Sequence, residues 1–162
     1  MKPLAGAFVF FAITAAAHAA YAAEPVVAVS PEAQKAMLAS TDQQLAANKK
    51  LVWNMWREFL QGGDIDAADK YLAPEYHQHN PNAETGLAGV KAYFKAAGMK
   101  KTPTKDYIDR LVAIVAERDL VTLALVREGK DKDGKSYTTT WFDMFRVANG
   151  KIVEHWDTAT KP

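Results

Sequence analysis

The sequence contains no cysteine among its 162 residues. This absence excludes thiolate catalysis, and it excludes the disulfide framework on which many small exported domains depend. A surplus of one charge is missing as well, because 20 basic residues face 19 acidic ones and the formal net charge is +1. A chain without a basic surplus lacks the electrostatic field that attracts nucleic acid. We therefore expect no nucleic-acid partner.

Long apolar runs are scarce too. The longest is Leu4–Ala17, which follows the basic residue Lys2. It is shorter than the roughly 20 residues that span a bilayer, and small-residue cleavage motifs of the Ala-x-Ala type follow it. This pattern predicts a secretory signal peptide over residues 1–22, cut after Ala22 or alternatively after Ala19. We expect a periplasmic or secreted protein with no membrane contact after the signal is cleaved.

The remaining chain of about 140 residues has the length of one domain with a core of its own. Residues 23–47 are predicted as a linker and an N-terminal helix, with Ser30 as its N-cap and Pro31 as its first residue. Residues 48–162 are predicted as the folded domain. Its apolar residues first recur with a helical period. Helices are predicted at 48–61, 65–72 and 86–97.

From Asp106 the apolar pattern changes to a period of two, which is typical of strands. The dipeptides Asp133-Gly134 and Asn149-Gly150 favour tight antiparallel hairpins. Helices followed by consecutive antiparallel strands predict an α+β domain with the helices on one face of the sheet. Strands are predicted at 107–116, 120–128, 137–147 and 151–158.

The last hairpin determines which side chains share a face. If residues pair one to one across Asn149-Gly150, Met144 lies opposite His155 and Phe142 lies opposite Asp157. A histidine and a carboxylate then project from an otherwise apolar face. Titratable groups in such surroundings are costly unless they serve a function. We therefore predict that this face is the wall of a small-molecule pocket.

The neighbouring hairpin extends the predicted pocket. If Lys132 pairs with Lys135, Leu125 lies opposite Phe142 and Arg127 lies near the rim. Three strands would then present one apolar face with a cation at its edge. The substrate-binding residues predicted for this wall are Phe142, Met144 and Arg127.

The other face of the last hairpin would carry Asp143, Phe145, Glu154 and Trp156. Phe145 and Trp156 together would leave an apolar patch in water, and such patches mark protein interfaces. We therefore expect a homodimer that forms through this face.

A second polar segment precedes the sheet. Alternation along an extended chain places Tyr76, Gln78 and Asn80 on one face, where the amides can donate hydrogen bonds to a carbonyl or enolate oxygen. His79 would then lie on the opposite face, although a bulge before Pro81 would turn it inward. The first three residues are predicted to bind substrate, and His79 is a candidate catalytic residue.

The order of these elements resembles the SnoaL-like polyketide cyclase family of the nuclear transport factor 2-like superfamily. The resemblance covers residues 48–158 and is carried by the segments 76–81, 86–94, 143–147 and 150–157. It implies a cone-shaped α+β fold, in which N-terminal helices pack in a curved antiparallel sheet that encloses a pocket. The family includes cyclases, isomerases, dehydratases and epoxide hydrolases besides proteins with no known reaction, so the fold alone does not define an activity.

The resemblance also implies aldol-type chemistry that needs neither metal nor cofactor. A carboxylate and an imidazole in a dry pocket can divide the proton transfers. Asp157 lies where the family's acid/base aspartate is expected, so it is the leading general acid/base, with His155 as its orienting or proton-sharing partner. Asn80 lies where the related ketosteroid isomerases carry an aspartate, and because an amide is no base, their mechanism is not expected.

Three alternatives remain open. His155 and Asp157 could be a structural polar pair at the pocket mouth. They could instead join His77 and His79 in a metal site, because the ligand types are suitable, although the strands that carry them need not meet. The whole protein could also be a non-catalytic periplasmic module of the same fold that binds a ligand or a partner.

Overall fold

The helices precede most of the sheet in the chain, as the change of period at Asp106 predicts. The computed structural model describes residues 24–161, and the predicted signal peptide lies outside them. Within the described range, no helix has the length and apolar content of a membrane span. The helices are α1 (Pro31–Met37), α2 (Gln43–Met55), α3 (Ala68–Tyr71) and α4 (Leu87–Ala96). A π-helical turn, Trp56–Gln61, continues α2, and a 3₁₀ turn, Ile65–Ala67, leads into α3.

Two capping residues divide the N-terminal helical region. The Ser30 hydroxyl accepts a hydrogen bond from the Ala33 amide at the start of α1, as predicted. The Asp42 carboxylate accepts bonds from the amides of Gln44 and Leu45 and so begins α2. Because an N-cap residue satisfies amides that have no partner within the helix, it sets where the helix begins. The predicted continuous helix to residue 47 is therefore wrong: α1 ends at Met37.

The strands are β1 (Leu72–Gln78), β2 (Leu111–Glu117), β3 (Leu120–Lys130), β4 (Ser136–Ala148) and β5 (Lys151–Asp157). They form one curved, open sheet in the order β1-β5-β4-β3-β2. Strands β2 to β5 are antiparallel neighbours in sequence order, as predicted, while β1 adds a fifth strand parallel to β5. The predicted extended segment that contains Tyr76 and Gln78 thus becomes an edge strand next to the one that carries His155.

The predicted register of the last hairpin is wrong by one residue. The residues that flank Asn149-Gly150 pair as expected, but a β-bulge then shifts the register of β4 against β5. Phe145 consequently lies opposite His155, and Asp143 lies opposite Asp157. A shift of one residue moves every following side chain of one strand to the other face.

The register of the β3–β4 hairpin is also wrong by one, because its turn is longer than predicted. Asp131, rather than Lys132, pairs with Lys135: the Asp131 amide donates to the Lys135 carbonyl at 3.0 Å. The Asp131 carboxylate also accepts bonds from the amides of Asp133 and Lys135. Aspartate commonly stabilises turns in this way. Leu125 therefore lies opposite Trp141 instead of Phe142.

The core lies between the helices and the concave face of the sheet. Phe145 is 2% exposed there, with its ring edge-on to Trp56 and stacked on the His155 ring at a centroid distance of 4.6 Å. The prediction that Phe145 belongs to a surface shared with Trp156 is therefore wrong. The largest fully buried apolar side chains are Phe59, Phe145, Met55, Ile108, Leu111, Leu123 and Ile152.

Candidate functional site

A cavity of about 550 Å³ opens between the helices and the concave face. Its size and largely apolar walls are those of a small-molecule site. Polar side chains from β1, β4 and β5 meet at one end of it. The apolar and aromatic lining includes Met55, Phe59, Leu60, Val90, Phe94 and Trp141.

A chain of hydrogen bonds crosses the three strands at the polar end. Oδ1 of Asp143 lies 3.0 Å from Nε2 of His155, and Nδ1 of His155 lies 2.9 Å from Oε1 of Gln78. The Gln78 amide group then donates to the Tyr76 hydroxyl at 3.3 Å. Asp143, His155 and Tyr76 are each less than a tenth exposed. The parallel pairing of β1 with β5 is what brings Gln78 opposite His155.

The surroundings of His155 place an oxygen atom against each of its ring nitrogens. Oε1 of Gln78 also accepts a hydrogen bond from the Asn80 backbone amide, so an oxygen and not an NH₂ group faces the imidazole. Nε2 faces the Asp143 carboxyl group and Nδ1 faces this Gln78 oxygen. The second oxygen of Asp143, Oδ2, has no hydrogen-bond partner within residues 24–161.

Tyr76 is placed to donate a hydrogen bond into the cavity. Burial, followed by the negative charges of Asp143 and Asp157, raises the pKa of Tyr76 well above its usual value, so the hydroxyl stays protonated. Its oxygen accepts the bond from Gln78, and the hydroxyl donates no hydrogen bond within residues 24–161. The hydroxyl therefore suits a ligand oxygen.

Asp157 is held by two hydrogen bonds at the same end of the cavity. Its Oδ2 accepts from Nδ2 of Asn80 at 2.6 Å, and its Oδ1 accepts from the Ala159 amide at 2.9 Å. The predicted pairing of Asp157 with His155 is therefore wrong, because the imidazole bonds to Asp143. Asn80, which is no base itself, orients the carboxylate that lies beside it.

One three-residue group in the described part of the chain could hold a metal ion. Asp143, His155 and Asp157 each offer a ligand atom, and these atoms lie within 4.8 Å of one another. The alternative set with His77 and His79 is not assembled: the His79 ring bonds to Glu154, and neither histidine lies with His155 and Asp157 in the three-residue group.

His79 does not face the cavity. Its ring stacks on Trp156 at 5.0 Å, and its Nε2 lies 2.8 Å from Oε1 of Glu154 on the convex face. Simple alternation, and not the bulge before Pro81, therefore describes this segment. The catalytic role predicted for His79 has no geometric basis.

The register errors change the list of cavity residues. Phe142 and Met144, predicted to bind substrate, lie on the convex face, and Phe142 is 48% exposed. Trp141 and Asp143 line the cavity in their place. Arg127 lines its mouth, as predicted, with the guanidinium 4.1 Å from the Trp141 ring centroid. Asp143 is the functional candidate that the sequence reasoning missed.

A curved, open sheet wrapped around helices, with a polar end in an apolar cavity, defines the nuclear transport factor 2-like class of α+β proteins. Residues 53–155 match the family model described as SnoaL-like domain. The chain belongs to this family, as the resemblance predicted. A search of curated proteins finds no match.

Several solved structures share the fold. A proposed polyketide cyclase from Acidithiobacillus ferrooxidans is 22% identical, with a TM-score of 0.52 over 74% of this chain and 89% of that one. An NTF2-like protein of unknown function from Burkholderia pseudomallei is 16% identical, with a TM-score of 0.51 over 70% and 91%. A proposed polyketide cyclase from Sinorhizobium meliloti is 17% identical, with a TM-score of 0.50 over 67% and 94%. At these identities the similarity establishes the fold alone.

Proposed function

We propose that this protein is a cofactor-independent lyase or isomerase that moves protons on a small, mostly apolar carbonyl compound, with aldol-type cyclisation as its reaction. The observation that carries the proposal is the juxtaposition of a protonated hydroxyl and a carboxylate in an apolar cavity. Tyr76 and Asp157 supply these two groups. An acid/base residue and a hydrogen-bond donor for an oxyanion are the two requirements of enolate chemistry.

In the proposed mechanism, the carbonyl oxygen of the substrate accepts a hydrogen bond from Tyr76. The Asp157 carboxylate removes a proton from the carbon next to that carbonyl, and the electron pair moves to the oxygen as an enolate. The enolate carbon attacks a second carbonyl of the same molecule, whose oxygen receives the proton back from Asp157. Charge is greatest on the enolate oxygen, where the Tyr76 hydrogen bond stabilises it most.

Asp143, His155 and Gln78 act as positioning residues in this proposal. The hydrogen-bond chain fixes the Gln78 amide, which donates to the Tyr76 oxygen and directs the tyrosine hydrogen elsewhere. Preorganised groups of this kind need not rearrange during the reaction.

Independence from metal is part of the proposal. Asp143 and His155, two of the three residues of the candidate metal group, already bond to each other through Oδ1 and Nε2. Dialysis against a chelator is therefore expected to leave the turnover unchanged. Loss of turnover that zinc or manganese restores would assign the three-residue group to a metal.

A second candidate function is non-catalytic ligand binding. The observation in its favour is that both oxygens of Asp157 already accept protein hydrogen bonds, from Asn80 and from Ala159. A carboxylate held in this way can be a fixed polar contact for a ligand. Binding without any proton exchange would support this candidate against the enzyme.

The proposed enolate step is tested by hydrogen–deuterium exchange. Aryl methyl ketones and aryl β-keto esters are incubated with the protein in D₂O, and loss of the proton signal next to the carbonyl is followed by NMR. We expect saturable exchange above the buffer rate, which Asp157→Asn lowers by roughly 10²–10⁴-fold. Asp133→Asn, at an exposed turn, is the matched control. Exchange at the buffer rate across the panel would reject the enzyme proposal.

Export also remains part of the proposal, and the signal-peptide pattern at residues 1–22 supports it. Expression of the whole chain followed by fractionation and N-terminal sequencing tests it. We expect a periplasmic or secreted product that begins after Ala22 or Ala19. An uncleaved product confined to the cytoplasm would contradict export.

A further inference from the structure

The mouth of the cavity carries a cation, Arg127, that forms no salt bridge within residues 24–161. Arg127 lies on the same face of β3 as Leu123, four residues away, and Leu123 pairs with Asp143. Four residues of a strand extend over about 13 Å. Arg127 and the Asp143 end of the cavity are therefore separated by most of the length of a drug-sized ligand. Both belong to the lining of the same cavity.

The other charged residues at the mouth are paired with each other. Arg110 lies 3.4 Å from Glu128, and Asp109 lies 2.6 Å from Lys105. Among residues 24–161, no carboxylate or carbonyl accepts a hydrogen bond from Arg127. Its guanidinium instead lies over the Trp141 ring, which also lines the cavity.

A guanidinium that lies over an aromatic ring makes no hydrogen bond to the ring edge, so its N–H groups can reach a ligand. Its N–H groups then form a planar fork that matches the two oxygens of a carboxylate. The ring attracts the cation as well, and so holds it in place without neutralising it. Trp141 thus holds the Arg127 guanidinium at the mouth of the cavity, where it can bind an anion.

We infer that the substrate is an elongated carbonyl compound with an anionic group, a carboxylate in the simplest case, at the end opposite the reacting carbonyl. Arg127 binds this group at the mouth, while the carbonyl lies against Tyr76. This inference rests on the proposed function. The orientation follows from charge, because Asp143 and Asp157 place two carboxylates at the polar end of the cavity, where they repel an anion.

A matched pair of ligands tests the inference by binding alone. The probe is an acetylnaphthoate with its ketone and its carboxylate at opposite ends of the two rings, and its methyl ester is the neutral partner. Calorimetry gives the dissociation constants. We expect the acid to bind wild type at least about tenfold more tightly than the ester, the usual scale for a charge-assisted bond. Arg127→Gln should abolish this preference. Lys135→Gln, which removes an exposed positive charge at a turn, should keep it.

The same probe distinguishes this inference from the enzyme proposal. Exchange of its acetyl protons in D₂O reports proton transfer, and the ratio of the two dissociation constants reports anion binding. A ratio near one in wild type, or a preference that survives Arg127→Gln, would overturn the anionic-substrate inference even if exchange occurs. A preference that depends on Arg127 without any exchange would retain the anion site and reject the chemistry.

Discussion

The sheet carries a histidine–carboxylate pair on each of its faces, and the two pairs differ in burial more than in geometry. On the concave face, His155 and Asp143 lie 3.0 Å apart with side chains 9% and 7% exposed. On the convex face, His79 and Glu154 lie 2.8 Å apart with side chains 36% and 24% exposed. The shorter contact is thus the one open to water. Distance alone would select the wrong pair as the site.

The surroundings separate the two pairs. Glu154 also bonds to Arg146, which continues to Asp119, so the convex pair is part of a surface ion-pair network. The concave pair continues through Gln78 to a protonated tyrosine in a cavity. A screened surface pair contributes little to the stability of a protein. A buried pair is costly to desolvate and costly to break, so its position beside a cavity indicates a functional role.

The largest difference between the faces is expected in stability. His155→Leu leaves the buried Asp143 carboxylate without its hydrogen-bond donor, so we expect it to lower the free energy of unfolding by about 3–5 kcal/mol. His79→Leu should lower it by no more than about 1 kcal/mol, because its partner is reached by water. Urea unfolding at neutral pH measures both. Similar losses in the two variants would remove the distinction.

The next largest effect is expected for Tyr76, at which the hydrogen-bond chain on the concave face ends. Tyr76→Phe removes one donor to the proposed enolate oxygen, and we expect the exchange rate to fall by roughly 10²–10³-fold. The exposed Tyr137 provides the matched control, since Tyr137→Phe should leave the rate unchanged. An unchanged rate in Tyr76→Phe would mean that the hydrogen-bond chain does not end at the reacting oxygen.

The convex face also differs from the concave one in its exposed apolar side chains, which a second subunit would cover. Phe142 and Val115 are 48% and 59% exposed there, beside Met144 and Trp156, and an apolar patch of this kind marks an interface. We expect a homodimer through this surface, although Phe145 does not belong to it. Light scattering at micromolar concentration should report a dimer for wild type and a monomer for Phe142→Glu. A monomeric wild type would contradict the expectation.

The smallest effect is the pH dependence of the convex pair. The hydrogen bond from His79, followed by that from Arg146, lowers the pKa of Glu154 below its ordinary value of 4.5. A lowered pKa stabilises the fold above the ordinary value, and this contribution disappears as the pH falls through the lowered one. Glu154→Gln should therefore be less stable than wild type at pH 7, by at most about 1 kcal/mol. The two should converge in acid, as unfolding curves across the pH range can show. A difference that grows toward low pH would contradict this sign.

Much of the fold follows from the sequence because its signals are local. The change from helical to alternating periodicity and the two Xaa-Gly turns define the sheet order. Alternation over 76–80 also predicts correctly that Tyr76, Gln78 and Asn80 share the cavity face. A local pattern is sufficient here, because an extended chain alternates its side chains regardless of what it pairs with.

The register is where sequence reasoning fails, and Asp143 is missed for that reason. No turn residue in the sequence marks the bulge in the last hairpin. The bulge lies inside the sheet, where β5 pairs with β4 on one side and with β1 on the other. The longer turn of the neighbouring hairpin does have a signal. Asp131 precedes Asp133-Gly134 by two residues, the spacing at which an aspartate can accept the turn amides.

The most direct test of the central claim compares one carboxylate from each face in the same exchange assay. Both carboxylates belong to strand β5 and accept hydrogen bonds. Asp157→Asn replaces the one on the concave face by its amide, and Glu154→Gln replaces the one on the convex face. We expect a fall of roughly 10²–10⁴-fold in exchange rate for Asp157→Asn, and a rate within about twofold of wild type for Glu154→Gln, whose pair lies outside the cavity. Equal rates in the two variants would contradict the claim that the concave cluster transfers the proton.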